Sequence, residues 1–145
     1  MKEIRSETTI DASAQTVWRI LTDFDRYPQW NPFIREISGM AAPGGKIEAT
    51  LQPAQGKAMH IKPKVLEADA PREIRWKGHL GIPGIFDGEH AFTIEAIDAD
   101  HVRFSQRETF TGVLAGTLLK RWGEATQEGF RAMNEALKKR AETEA

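Results

Sequence analysis

Between Ile34 and Gly112 the chain is cut into short segments whose apolar residues recur at every second position. It then runs from about Val113 to Glu142 as one long amphipathic helix. The segments are "IREISGM", "KIEATLQP", "AMHIKPKVLEAD", "REIRWKGHL", "IFDGEHAFTIEAID" and "HVRFSQRETFTG", separated by "APGG", "PAQG", "DAPR", "GIPG" and "DADH". Period-two alternation sends successive side chains to opposite faces of a strand, and connections this short make an antiparallel meander. Pro63 cannot donate to a ladder, so it marks an edge or a bulge in its segment. In the closing helix Leu114, Leu118, Trp122, Phe130, Met133 and Leu137 form one stripe, with Leu119 and Thr126 beside it. Arg131, Glu135, Lys138, Lys139 and Glu142 cover the other side. Gly123 and Gly129 each cost about 1 kcal/mol inside a helix, so their use is a close approach or a bend.

The N-terminal part prefaces this meander with a strand over Glu3–Asp11 and a short helix in "DASAQTVWRILTD". That helix carries Val17, Trp18, Leu21 and Phe24 at helical spacing, with Asp11 or Ser13 as N-cap. "FDRYPQWNPF" at 24–33 follows. Its two prolines break it too often for a helix or a strand, so it reads as a loop. A loop holding Phe24, Tyr27, Trp30 and Phe33 must pack those rings on something. The order predicts an α+β fold: a seven-stranded curved antiparallel sheet wrapped around the C-terminal helix, with short helical structure between strands 1 and 2. One domain over residues 1–145 fits the length of 145 residues.

Charge and composition narrow the partners. Net charge is −1, from 20 basic and 21 acidic side chains, which argues against nucleic acid. "KKR" at 138–140 is simply favourable charge near a helix end. There is no cysteine, which excludes disulfides, thiolate nucleophiles and cysteine-ligated metals. The start, "MKEIRSETTID", lacks the apolar core of a signal peptide, and "VLAGTLL" at 113–119 is too short to span a bilayer. The expectation is a cytoplasmic protein without integral membrane association and without a cofactor. Its oligomeric state is left open.

The pieces "VWRILTDFDRYPQWNPFI" at 17–34, "PREIRW" at 71–76, "IFDGEHAFTIE" at 85–95, "RETFTG" at 107–112 and the closing helix cover nearly the whole chain. Together they resemble the START-like superfamily, also called Bet v 1-like or SRPBCC, in its bacterial polyketide cyclase/dehydrase-like branch. The resemblance implies a helix-grip fold with a deep pocket between sheet and long helix. It implies no catalytic set, because that superfamily spans lipid carriers, polyketide cyclases and aromatases, quinone-binding proteins and chaperone cofactors.

Parity along the strands says what such a pocket would meet. Ile74, Trp76, Gly78 and Leu80, then Phe86, Gly88, His90, Phe92 and Ile94, then Val102, Phe104, Gln106, Glu108 and Phe110 share the inner face. Three polar residues, His90, Gln106 and Glu108, interrupt it. Either they satisfy one another, since buried polar groups need partners, or they orient a ligand in an apolar site. The ligand-binding candidates are Trp30, Phe33, Trp76, Phe86, His90, Phe92, Phe104, Gln106, Glu108, Trp122 and Phe130. Each aromatic among them is equally explained as core. Trp30 and Phe33 are expected to cap one end of the groove as a lid. Gly78, Gly81 and Gly84 are placed to leave an entrance open, and His79 faces outward. Glu108 and His90 are the candidate acid/base pair. His60, His90 and Glu108 make a weak metal set on separate strands, and no metal is expected. The leading reading is binding of a hydrophobic small molecule, whether lipid, quinone, polyketide or aromatic. A cyclase/dehydrase using Glu108 and His90 is the alternative, and a protein-interaction or chaperone-cofactor module is the third.

Overall fold

A computed structural model of the chain describes residues 2–53, 56–79 and 82–144. Eight strands and three α-helices follow in order. They are β1 (Lys2–Ile10), α1 (Ala14–Thr22), α2 (Tyr27–Trp30), β2 (Ile34–Gly39), β3 (Ile47–Leu51), β4 (Met59–Ile61), β5 (Lys64–Asp69), β6 (Glu73–His79), β7 (Asp87–Asp98), β8 (His101–Thr111) and α3 (Ala115–Glu144). This is the helix-grip α+β architecture, with an antiparallel sheet clasping one long helix.

The strands form a five-stranded sheet in the order β1-β8-β7-β6-β5 and a three-stranded sheet β2-β3-β4. The expected seven strands become eight because the segment around Pro63 breaks there. Its first part, β4, pairs with β3, and its second part, β5, pairs with β6. Proline supplies no ladder N–H, so the chain turns a corner at that point. The two sheets still touch at the corner: Ile47 N donates to Pro63 O at 2.9 Å and Val65 N to Gly45 O at 2.8 Å.

The inner-face parity is reproduced by the register. Ile74 lies opposite Phe92, Trp76 opposite His90, Gly78 opposite Gly88, and His90 opposite Glu108. Beneath them Phe92, Phe104, Ile94 and Val102 are buried with Val17, Leu21 and Ile10 from the N-terminal elements. Ser13 caps α1 by accepting from Thr16 N at 3.1 Å.

The 24–33 stretch differs from the loop expected for it. Phe24–Arg26 is a 3-10 turn and Tyr27–Trp30 a single α-helical turn. Pro28 is compatible with that turn because first-turn N–H groups have no helical partner to lose. Phe24 and Tyr27 are buried edge to face at 5.6 Å, and the Tyr27 hydroxyl donates to Leu21 O. Burial pushes the Tyr27 phenol far above its ordinary value, with the charge of Asp23 adding to the effect. Asn31 then accepts from Phe33 N and Ile34 N, at 2.9 and 2.8 Å. That turn sends Phe33 inward and starts β2.

Helix α3 has two unlike halves. Gly129, Phe130, Met133, Asn134, Leu137 and Ala141 are buried, and this C-terminal half packs along β1 and α1. In the N-terminal half Ala115 is buried, Leu118 and Leu119 are half-buried and Trp122 is exposed, as is Leu114 just before the helix. The apolar stripe continues there, but the protein beneath it does not.

Candidate functional site

What lies under that unsupported half is a cavity of about 120 Å³, open to solvent at one end. The small sheet contributes Leu51, Met59, His60 and Ile61, the large sheet Trp76, His79, Glu108 and Phe110, the loop before β7 Phe86, and α3 Leu118, Leu119, Trp122 and Thr126. Phe33 enters from the start of β2. The cavity exists because the sheets part at Pro63 and because Gly78 and Gly88 face each other with no side chains. The Glu108 carboxylate occupies the room so left: a Cβ added at Gly88 would collide with its Oε2.

Glu108 heads a chain of polar groups leading into the core. Its Oε1 is 3.6 Å from His90 Nδ1. His90 Nε2 is 3.0 Å from Gln106 Oε1, and Gln106 Nε2 donates to Asn134 Oδ1 at 2.7 Å and to the Phe130 carbonyl at 3.3 Å. Asn134 Nδ2 donates to Ser6 Oγ at 3.2 Å. A backbone carbonyl only accepts, so the Gln106 amide nitrogen must face Phe130 and its oxygen must face His90. His90 therefore carries a proton on Nε2, which leaves Nδ1 turned toward Glu108. The imidazole plane is held by Phe92, stacked at 4.2 Å, and by Phe130 at 4.9 Å.

The structure divides the sequence candidates. Phe33, Trp76, Phe86, Glu108 and Trp122 line the cavity. His90 stands directly behind Glu108. Phe92, Phe104, Gln106 and Phe130 are fully buried beneath the cavity and form its support. Trp30 is not a lid: it packs on Tyr27 at 5.1 Å and borders a separate outer groove with Arg19, Asp23, Arg26, Arg140 and Glu144. The helical turn at 27–30 is what rotates it away. His79, expected to face outward, instead borders the cavity while its Nδ1 lies 2.7 Å from the buried Asp87 carboxylate, and Leu80 and Gly81 lie outside the described residues. Among the described residues no three His, Cys, Asp or Glu side chains are grouped so as to hold a metal. His60 pairs with Thr50 Oγ1 at 3.3 Å. Asn134 was not singled out from the sequence, although an Asn on the buried stripe between Phe130 and Leu137 was the signal for it.

An antiparallel sheet gripping one long C-terminal helix is the helix-grip fold of the START/Bet v 1 (SRPBCC) class. The chain belongs to the family described as "Polyketide cyclase / dehydrase and lipid transport", which it matches over residues 1–142. Solved structures agree in fold. A START superfamily protein from Mycobacterium smegmatis is 22% identical, with 99% of each chain covered and a TM-score of 0.73. The Zhui aromatase/cyclase from Streptomyces sp. R1128 is 16% identical over 97% of this chain and 93% of its own, with a TM-score of 0.78. A norcoclaurine synthase from Thalictrum flavum is 15% identical over 99% of this chain and 96% of its own, with a TM-score of 0.70. No curated protein matches the chain significantly in sequence. Among the described residues no helix is long and apolar enough to cross a membrane.

Proposed function

We propose that the cavity binds a hydrophobic small molecule that carries one ring into the pocket and presents a hydrogen-bonding group to Glu108. The observation that carries this reading is the single carboxylate, Glu108, in a mainly apolar wall whose other polar side chains are His60, His79 and Thr126; a glycine gap in front and His90 behind hold it in place. A few convergent polar groups in an apolar site fix a ligand's orientation. A dry cavity of roughly 150 Å³ accepts a benzene ring, so the present volume suits one ring. The rest of a larger ligand would lie in the open groove beside Trp122. The family, whose description names both lipid transport and cyclase/dehydrase chemistry, supports a ligand of this class. Native mass spectrometry of freshly purified protein tests the reading. A retained small molecule, lost in Glu108→Gln or Gly88→Leu, is the expected result. Protein of bare mass that also takes up no apolar dye would overturn it.

One further observation favours a catalytic version. His90 is locked with Nδ1 facing Glu108, so a proton taken up by the carboxylate has an acceptor at hand. In that version Glu108 removes a proton from the carbon between two carbonyls of a bound polyketone, the resulting enolate attacks a third carbonyl further along the chain to close a ring, and the alkoxide so formed takes back the proton from the Glu108–His90 pair. Turnover would fall at least about a hundredfold in Glu108→Gln, the usual size of a general-base contribution. Turnover unchanged in that variant would remove Glu108 from the chemistry.

A further inference from the structure

The open end of the cavity has a composition unlike the rest of the chain. Three stretches of sequence, 52–63, 78–86 and 109–123, supply much of its described lining, among it Met59, Ile61, Phe86, Phe110, Leu118 and Trp122. They contain Lys57, Lys62, Lys120 and Arg121 and not one Asp or Glu, although the whole chain has 21 acidic residues and a net charge of −1. The nearest carboxylates are accounted for or lie beyond the rim. Asp87 is bound to Gly84 N and His79, Glu108 is inside the cavity, Glu48 makes an exposed, long ion pair with Lys62 at 3.8 Å, and Glu124 lies just beyond the rim on α3.

The same end exposes apolar side chains together. Ile82 is 73% exposed, Val113 79%, Leu114 43% and Trp122 40%. Ile82, Val113 and Leu114 are drawn together, and Trp122 borders the cavity two turns further along α3. Val113 N donates to Gly84 O at 3.1 Å, Leu114 N to Ile85 O at 3.0 Å, and Ile85 N to Ile82 O at 3.3 Å, so the two rim segments are stitched edge to edge. A contiguous exposed apolar patch marks an interaction surface.

We propose that this rim docks on the surface of an anionic lipid bilayer, with Ile82, Val113, Leu114 and Trp122 entering the interface and the four cations meeting headgroups. The charge pattern selects this occupant. Lys and Arg flanking an apolar patch are attracted to an anionic leaflet, their long stems reach its charged plane, and Trp favours that depth. Docking there would place the cavity mouth against the hydrocarbon boundary. A lipophilic ligand then passes between bilayer and cavity without crossing water. That last step rests on the ligand-binding reading, whereas docking itself does not.

Co-sedimentation separates the two. The protein is spun with vesicles of phosphatidylcholine alone and of an equal mixture of phosphatidylcholine and phosphatidylglycerol. Binding to the mixed vesicles only, weakened by added salt, is expected. The double variant Lys120→Glu/Arg121→Glu loses about thirtyfold or more in partitioning, and Ile82→Ser/Val113→Ser also binds more weakly. All four residues are exposed, and an unchanged circular dichroism spectrum confirms the fold of each variant. Arg103→Glu, on the outer face of the large sheet, serves as a control and binds as the parent does. Protein left in the supernatant with both vesicle types overturns the proposal. So does loss of binding in Arg103→Glu alone, or a rim that pairs two copies of the chain in solution and ignores vesicles. Native mass spectrometry without vesicles reports on the ligand independently, so failure of docking and failure of ligand binding are told apart.

Discussion

The Cδ1–Cε1 edge of the Phe33 ring fills the space beside Gly129 that a side chain there would have to occupy. A Cβ there would come within 2.6 Å of Phe33 Cε1 and closer still to Cδ1. Phe33 is further held by Phe130, edge to face at 5.6 Å. Gly123, two turns earlier, has no neighbour within 4 Å of the same position. The two glycines therefore respond oppositely to alanine. Gly123→Ala gains about 1 kcal/mol of helix propensity and raises the melting temperature by about 3 °C. Gly129→Ala forces Phe33 or α3 to move, costs about 1–3 kcal/mol and lowers the melting temperature. Calorimetry of both variants checks the contrast, and equal shifts would refute it.

At Gly88 the clash is with the mobile end of Glu108 rather than with a packed ring. Gly88→Ala should displace the carboxylate and fill the cavity while changing stability by less than about 1 kcal/mol. Uptake of an apolar fluorescent dye, measured beside thermal melting, should fall at least tenfold with the melt nearly unmoved. Full uptake would mean that the glycine gap does not shape the site.

Gln106 connects the cavity wall to α3, and all its polar atoms are engaged. Gln106→Leu strands the His90 Nε2 proton and Asn134 Oδ1 in a dry interior, at a cost of about 2–5 kcal/mol in urea unfolding. Nitrogen-15 NMR of the parent should show His90 protonated on Nε2, and in Gln106→Leu that preference should disappear. An Nδ1-protonated His90 in the parent would refute the assigned network.

The ladder parity that brings Trp76, His90, Gln106 and Glu108 to one face was legible in the sequence. A strand's period of two leaves only one register that buries the apolar set. Period two does not say which strand lies beside which. The break at Pro63, which separates β4 from β5 and opens the cavity, thus surfaced only as a weakened strand. Trp30 was misplaced because two prolines in five residues suggested a loop, whereas Pro28 falls where a helical turn tolerates it. Phe92, Phe104 and Phe130 could not be sorted from Trp76 and Phe86 by pattern. Depth along a wedge between sheet and helix is a property of the tertiary fold, and all five share the inward parity.

A pH effect belongs to the mouth of the fold. Asp87 accepts from His79 at 2.7 Å and from Gly84 N at 3.1–3.2 Å, and these hydrogen bonds, that of His79 foremost, hold its carboxyl below the usual carboxylate range. With the folded value depressed, the stabilisation is present above the unfolded carboxylate's pKa and is lost as pH falls through the folded one. In His79→Ala the Asp87 value should rise toward an ordinary aspartate, and its share of the acid-dependent loss of stability should shrink. Carboxyl carbon-13 titration measures this directly, and an unmoved Asp87 would assign the effect to Gly84 alone.

Helix α3 is continuous in backbone but not in what holds it. From Gly129 to Ala141 it is packed on the core, so its amides there should exchange only through global unfolding. From Gly116 to about Thr126 they are covered by little more than the cavity itself. One rod thus spans two cooperative units, and the weaker one can fray or lift while the stronger stays shut. Admission to the interior is then governed by a local equilibrium of modest free energy. An occupant that fills the cavity would show itself first as slowed amide exchange in that forward half, before any change in global stability is apparent.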